Sequence, residues 1–402
     1  MKYDFETIYD RVGKDAIAVD GIGEPFNIMD KPREGFDPIS MWVADMNFAT
    51  VPTVVQEIAK RLEHPLFGYF PTRKEYFDSI ISWQKRRNGV EGLEAKNIGH
   101  ENGVLGGVVS ALNILCSKGD NVLVHSPTYI GFTKTLKNNG YNIVHSPLYL
   151  DENDVWRMDY EDMEKKIVDN NITVAIMCNP HNPTGRVWER EELERAIDIF
   201  ERHHVYIISD EIWSDIILYD NKHIPTQSVN EYAHENTIAF YALSKTFNLA
   251  ALVEAYHIVY SDYLNKRLQK ESSLPHYNEE NLLSMYALIG AYKDEGEEWL
   301  GELLQVLAEN TDIAYDYFAK KLEGTKVGKP EGTYMFFVDF EDYCKKNNIT
   351  IKELLKAGWS VGVMWQDGTA FGGEYTIRMN LASPTARIKE AIERLDKYVF
   401  NK

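Results

Sequence analysis

Positive charge is scarce in this chain of 402 residues: Lys and Arg number 43 against 62 Asp and Glu, a formal net charge of −19. Such a balance repels a phosphate backbone and argues against a nucleic-acid partner. An acidic small molecule must therefore be met by specific cations, of which Arg378 is one candidate. Cysteine is scarcer still, at three (Cys116, Cys178 and Cys344), an odd count with no CxxC spacing. That disfavours a disulfide framework and fits reduced thiols in a cytoplasmic protein. No apolar run approaches the length of a membrane span, and Met1-Lys-Tyr-Asp-Phe-Glu lacks the apolar core of a signal peptide. The eleven histidines contain no HExxH and no metal-like cluster, and His203-His204 are adjacent rather than one helical turn apart. No GxSxG elbow points to a serine hydrolase. Gly103-x-x-Gly106-Gly107 is not the GxGxxG of a dinucleotide site. Neither a metal site nor a nicotinamide site is expected.

What is present has the patterning of an α/β enzyme. The length suffices for two domains with substantial cores. From about residue 100 to 260, short β-rich runs alternate with helical stretches: Asn121–His125, Thr173–Cys178, Val205–Ser209 and Thr237–Tyr241, with an amphipathic segment at Glu189–Arg202 among them. Strands alternating with helices predict a largely parallel sheet buried on both faces. In such sheets ligands sit at the carboxyl ends of the strands. From Asn281 the pattern changes to long helices, with strands returning at 332–340 and 375–380 and a last helix at 386–399, the character of a second, smaller domain.

Three predicted strands end in polar residues that suit one chemistry. Thr173–Cys178 leads into Asn179-Pro-His-Asn182-Pro-Thr-Gly185, Tyr206-Ile-Ile-Ser leads into Asp210-Glu211, and Thr237–Tyr241 leads into Ser244-Lys245. Taken singly, each has an ordinary structural explanation: an Asn-Pro turn is a turn, and a strand ending in Asp-Glu is common. Together and in this order they suit a pyridoxal phosphate (PLP) site. Lysine can bind the cofactor covalently, aspartate can keep the pyridine nitrogen protonated, and asparagine can donate to the ring phenolate.

The motif Cys178-Asn-Pro-His-Asn-Pro-Thr-Gly-Arg-Val-Trp188, with Met41-Trp-Val-Ala-Asp-Met-Asn-Phe48, His64-Pro-Leu-Phe-Gly-Tyr69, Pro330-Glu-Gly-Thr-Tyr334 and Ile377-Arg-Met-Asn380, resembles the fold-type I PLP enzymes. Within the aminotransferase class I/II superfamily it is most similar to the MalY/PatB-type cystathionine β-lyases. The resemblance implies an α/β, aspartate aminotransferase-like fold. Its large domain (residues 46–285) would carry a mostly parallel seven-stranded sheet, and residues 1–45 and 286–402 would form a smaller α+β domain.

It also implies roles. Lys245 would be the cofactor lysine and catalytic base, with Asp210 at the pyridine nitrogen and Asn182 at the phenolate. Tyr129 would stack on the ring. The amides of Gly103, Val104 and Leu105, with Ser244 and Tyr69, would hold the phosphate, since a helix N-terminus favours an anion. In relatives the counterpart of Tyr69 crosses a dimer interface, implying a homodimer with shared active sites. Arg378, helped by the Ala44 N–H and Asn182, would clamp the carboxylate of an amino-acid substrate through paired hydrogen bonds.

Departures are local. Trp213 stands where the lyase branch usually has histidine, and an indole N–H can donate but cannot accept. Val253 replaces a phosphate-binding arginine of aminotransferases, Met46-Asn47-Phe48 replaces Met-Asp-Phe, and Ala251 replaces a glycine. The reaction implied is C–S β-elimination from cystathionine or related cysteine S-conjugates. An aminotransferase or racemase is the alternative, and a partner-binding regulator on the same fold a third reading.

Overall fold

The computed structural model describes residues 1–274 and 278–401. A first short strand, β1 (Ile39–Ser40), precedes the main sheet. The main sheet contains β2 (Ile98–Asn102), β3 (Asn121–Ser126), β4 (Asn142–Leu150), β5 (Trp156–Met158), β6 (Val174–Cys178), β7 (Tyr206–Asp210), β8 (Thr237–Ala242) and β9 (Glu254–Ile258). Their spatial order is β2-β9-β8-β7-β6-β3-β4-β5. The β8, β7, β6, β3 and β4 neighbours are parallel, whereas β9 runs against both β8 and β2, and β5 against β4. The sheet thus has eight strands rather than the seven expected. The extra one arises because the long β4 turns back through Asp151–Val155, so that Leu148–Leu150 pair with Trp156–Met158.

Burial explains the composition of the central strands. Every residue of β6 and β8 is buried, which is why Val-Ala-Ile-Met-Cys and Thr-Ile-Ala-Phe-Tyr-Ala show no alternation. Helix Val104–Leu115 covers one face through Val108, Ala111 and Leu112. Helix Arg190–Arg202 covers the other through Leu193, Ala196, Ile197 and Phe200, at helical spacing. Its start is set by a capping box in which Glu189 and Glu192 exchange backbone bonds. Each large side chain buried there contributes about 1.5–3 kcal/mol before entropic costs.

The C-terminal part contains β10 (Met335–Asp339), β11 (Val363–Met364), β12 (Gln366–Asp367) and β13 (Thr376–Asn380). The order β10-β13-β12 forms an antiparallel sheet, and β11 pairs with β1. Its core joins Phe336, Phe340, Trp365 and Met379 to Ile22, Met29, Ile39 and Met41 of the N-terminal segment. Helix Asp294–Phe318 serves both cores: Trp299, Leu303 and Leu307 pack with the first, Ala314 and Phe318 with the second. Phe5 returns to the first core, between Phe48 and Trp299. Among the described residues no helix is long and apolar enough to cross a membrane.

Two buried histidines set an acid limit on this fold. His125 and His181 pack against Trp188, and burial pushes their pKa values down from 6.5 to about 4 and about 3. The unfolded chain therefore binds these protons first. The stability they contribute is whole above pH 6.5 and is lost as pH falls toward the folded-state values. Going from pH 7 to 5 is expected to cost about 2 kcal/mol per histidine. Denaturant unfolding at the two pH values checks this, and His125→Leu should shrink the difference by about that amount.

Candidate active site

The parallel strands β3, β6, β7 and β8 deliver their carboxyl ends to one edge, where Asn182, Asp210 and Lys245 stand at or just after the ends of β6, β7 and β8. Lys245 lies in the short helix Leu243–Thr246 directly after β8. Its Nζ donates to the Ala44 carbonyl at 2.8 Å and stands 5.7 Å from the centre of the Trp213 ring. Burial, assisted by the Arg378 charge, lowers its pKa from 10.5 to about 8, with Asp45 and Asp210 opposing. An amine so placed has a substantial neutral fraction near pH 8 and can act as nucleophile or base.

Asp210 closes β7 and is 3% exposed. Its side chain accepts one hydrogen bond, from the Ile212 N–H at 3.1 Å, and no lysine, arginine or histidine pairs with it among the described residues. Desolvation consequently raises its pKa from 3.8 to about 7. A buried carboxyl without a cation is a receptor for one.

Arg378 is the complementary case. It sits at the centre of β13, 4% exposed, and no carboxylate lies within ion-pair distance among the described residues. Neutral acceptors hold it instead. Nη1 donates to Asn182 Oδ1 at 3.1 Å, while Nη2 donates to the Trp42 carbonyl at 3.0 Å and to Gln366 Oε1 at 2.6 Å. Its Nε is buried without a partner, and the guanidinium lies 4.6 Å from the Phe371 ring centre. Desolvation lowers its pKa to about 10. A buried guanidinium with its charge uncompensated and one N–H unused is suited to an incoming carboxylate.

The contact from Arg378 also orients Asn182, because its oxygen must face the guanidinium, leaving its NH₂ with no protein acceptor among the described residues. Trp213 is buried, packs edge-on against Tyr334 at 4.7 Å, and likewise has no protein acceptor for its indole N–H among the described residues. Tyr129 caps helix Ile130–Asn138, and a side-chain carbon at Gly131 would lie only 2.2 Å from its ring. Glycine there lets the ring lie flat over the helix start. Gly103, at φ +76, turns the chain from β2 into helix Val104–Leu115, whose first N–H groups have no intrahelical acceptor. Ser244 adds a hydroxyl at the start of the lysine helix.

These residues fit PLP: an unpaired buried carboxyl for its ring nitrogen, free donors for its phenolate, a ring platform, a helix N-terminus for its phosphate, and the lysine. Cys178 serves packing, buried with Sγ donating to the Pro180 carbonyl at 3.2 Å.

Two expected residues stand differently. Ala44 reaches the site through its carbonyl, which accepts from Lys245 Nζ and from the Tyr334 hydroxyl at 3.0 Å. Tyr69 is fully exposed, at 111%, and is not brought to the site of its own chain. Sequence reasoning missed Gln366, Gly131 and the Arg11–Asp45 ion pair of 2.5 Å, in which Arg11 also donates to Asn47 at 2.9 Å. Only the Asn47 replacement hinted at that contact, since an amide oxygen there accepts from Arg11 where a carboxylate would compete with Asp45.

Fold and site together define an aminotransferase-fold protein with a lysine-centred cofactor cleft. The chain belongs to the aminotransferase class I and II family, whose pattern matches residues 37–395. It is similar to the cystathionine β-lyase PatB of Bacillus subtilis (strain 168), 32% identical over 97% of this chain and 98% of that one. Among solved structures it resembles the PLP-bound C–S lyase from Staphylococcus hominis, with 31% identity and a TM-score of 0.89 over 100% of this chain and 99% of that one. Cystalysin from Treponema denticola, which contains pyridoxal 5'-phosphate, is 28% identical with a TM-score of 0.89 over 99% of each chain.

Proposed function

We propose that this chain is a PLP-dependent C–S β-lyase that converts cystathionine or a related cysteine S-conjugate, with water, to a thiol, pyruvate and ammonia. The observation that carries the reading is the pairing of an uncompensated buried Arg378 with an amine, Lys245, whose pKa lies near 8. When bound, PLP supplies the electron sink that acidifies the substrate Cα–H. Arg378 binds the α-carboxylate and, with Asn182, fixes the orientation of the substrate so that its Cα–H faces Lys245. The Lys245 amine takes that proton and holds it close to the departing sulfur. Asp210 would hold the proton of the ring nitrogen, and Trp213 and Asn182 would donate toward the phenolate.

Transamination and racemisation begin with the same proton abstraction, so the test must read the later step. Purified enzyme given L-cystathionine, with no keto acid added, is expected to release pyruvate steadily. Absence of release with the cofactor bound would instead favour transamination or racemisation.

The active unit is a homodimer in the cytoplasm. The exposed run of Val55, Leu62, Leu66, Phe67 and Tyr69 supplies the apolar surface for it, and Tyr69 reaches the phosphate of the partner's site. Tyr69→Phe, losing one charge-assisted hydrogen bond of about 1.5–3 kcal/mol, is expected to weaken PLP affinity roughly 10- to 150-fold. Cofactor titration by absorbance checks this; unchanged affinity removes the role.

A further inference from the structure

Outside the cleft, the edge of the main sheet carries a second polar cluster. Strands β2 and β9 are antiparallel with His100 opposite Tyr256 and Asn102 opposite Glu254, so His100 and Glu254 project from the same face. Glu280 approaches from the segment just before helix Leu282–Ala291. One ligating atom from each of His100, Glu254 and Glu280 lies within 4.8 Å of the others. His100 Nδ1 stands 3.6 Å from Glu254 Oε1. No lysine or arginine pairs with either carboxylate among the described residues, although Glu254 is only 1% exposed.

The hydrogen bonds in this cluster leave a consistent remainder. The Tyr76 hydroxyl donates to Glu254 Oε1 at 2.8 Å, and the Thr72 hydroxyl donates to Glu280 Oε2 at 2.7 Å. Each carboxylate is thereby oriented by one oxygen while the other is left over. Glu254 Oε2, Glu280 Oε1 and His100 Nδ1 are all buried and have no hydrogen-bond partner among the described residues. Apart from the long contact of His100 Nδ1 with Glu254 Oε1, three neighbouring side chains thus each keep a buried polar atom unsatisfied, which is costly unless something occupies the space beside them. Bonds that orient a carboxylate from outside are also a regular feature of metal ligands.

We propose that His100, Glu254 and Glu280 bind one divalent first-row metal ion of the Zn²⁺ type. One imidazole nitrogen and two carboxylate oxygens match its ligand preferences, with water as the fourth ligand, whereas Mg²⁺ favours oxygen alone. The ion is a clamp and not a catalyst. Asn278 already links its segment to β2, accepting from the Asn102 N–H at 2.6 Å and donating to the His100 carbonyl at 2.7 Å. Glu254 follows Val253, which packs beside Gly103 at the candidate phosphate-binding helix start. The metal joins residues 278–280 to the sheet beside that cradle. The sequence hides the site because its three ligands are about 150 and 26 positions apart and have no shared motif.

The holoenzyme, freed of metal with a chelator, would be titrated with ZnCl₂ by calorimetry and its crystals measured at the zinc absorption edge. One ion per chain is expected, with an anomalous peak between the three side chains and a melting temperature that rises with zinc concentration. Glu280→Gln, an isosteric change at a half-buried position, and His100→Asn should each weaken binding by at least about 100-fold, beyond what loss of a supporting hydrogen bond costs. An empty cluster at about 1 mM Zn²⁺, peaks only at other histidines, or unchanged affinity in both variants would overturn the proposal.

Discussion

Lys245→Ala is expected to lower pyruvate release from L-cystathionine by at least roughly 10⁴-fold, with the fold intact. Among the described residues no second amine is placed to replace it: Lys245 Nζ is the one that reaches the Ala44 carbonyl beside Trp213, Asp210 and Arg378. Its value as a base comes from burial and the neighbouring guanidinium, which bring its pKa to about 8. Lys245→Arg should fail nearly as completely, because a guanidinium stays protonated and cannot accept the Cα proton. Initial rates of pyruvate formation, together with thermal unfolding to establish that both variants fold, check this. If Lys245→Ala kept more than a hundredth of the rate, another group would be the base.

The second large effect belongs to Arg378. Arg378→Leu is expected to reduce kcat/KM by about 30- to 5,000-fold, the consequence of losing about 2–5 kcal/mol from a buried charge pair. The size follows from what surrounds the guanidinium. Its protein partners, Asn182, the Trp42 carbonyl and Gln366, are neutral, so its charge is conserved for the substrate. The loss should fall mainly on KM, because the carboxylate is bound throughout the reaction. Gln366→Glu offers a contrasting variant: a carboxylate 2.6 Å from Nη2 would neutralise the arginine while keeping it in place. Steady-state kinetics with L-cystathionine distinguishes these outcomes. An unchanged KM in Arg378→Leu would mean that the carboxylate binds elsewhere.

Much of the candidate site is legible in the sequence because its signals are local. Asn182, Asp210 and Lys245 each follow an apolar run that the structure buries completely or nearly so, in β6, β7 and β8. A parallel sheet covered by helices needs such runs, and its carboxyl edge is where polar residues can collect. Arg378 was legible for the related reason that a charge within Thr-Ile-Arg-Met-Asn is conspicuous. The strand count was less so. Trp156–Met158 has three residues, and its pairing depends on β4 extending far enough to receive it.

Other features depend on contacts between distant segments. Gln366 reaches Arg378 only because β12 and β13 pair in that register. Arg11 meets Asp45 because the N-terminal segment folds back onto residues 45–47, and Glu254 and Glu280 meet His100 across more than a hundred residues of chain. The sequence by itself determined which side chains are available for the chemistry and which strands carry them, since hydrophobic periodicity and turn residues act over a few neighbours. Only the tertiary structure decided the electrostatics: that among the described residues neither Asp210 nor Arg378 has an ion-pair partner, and that Lys245 lies close enough to Arg378 for its proton to be loosened. Those properties follow from which charges are nearby and how much water is excluded, and both are set by long-range packing.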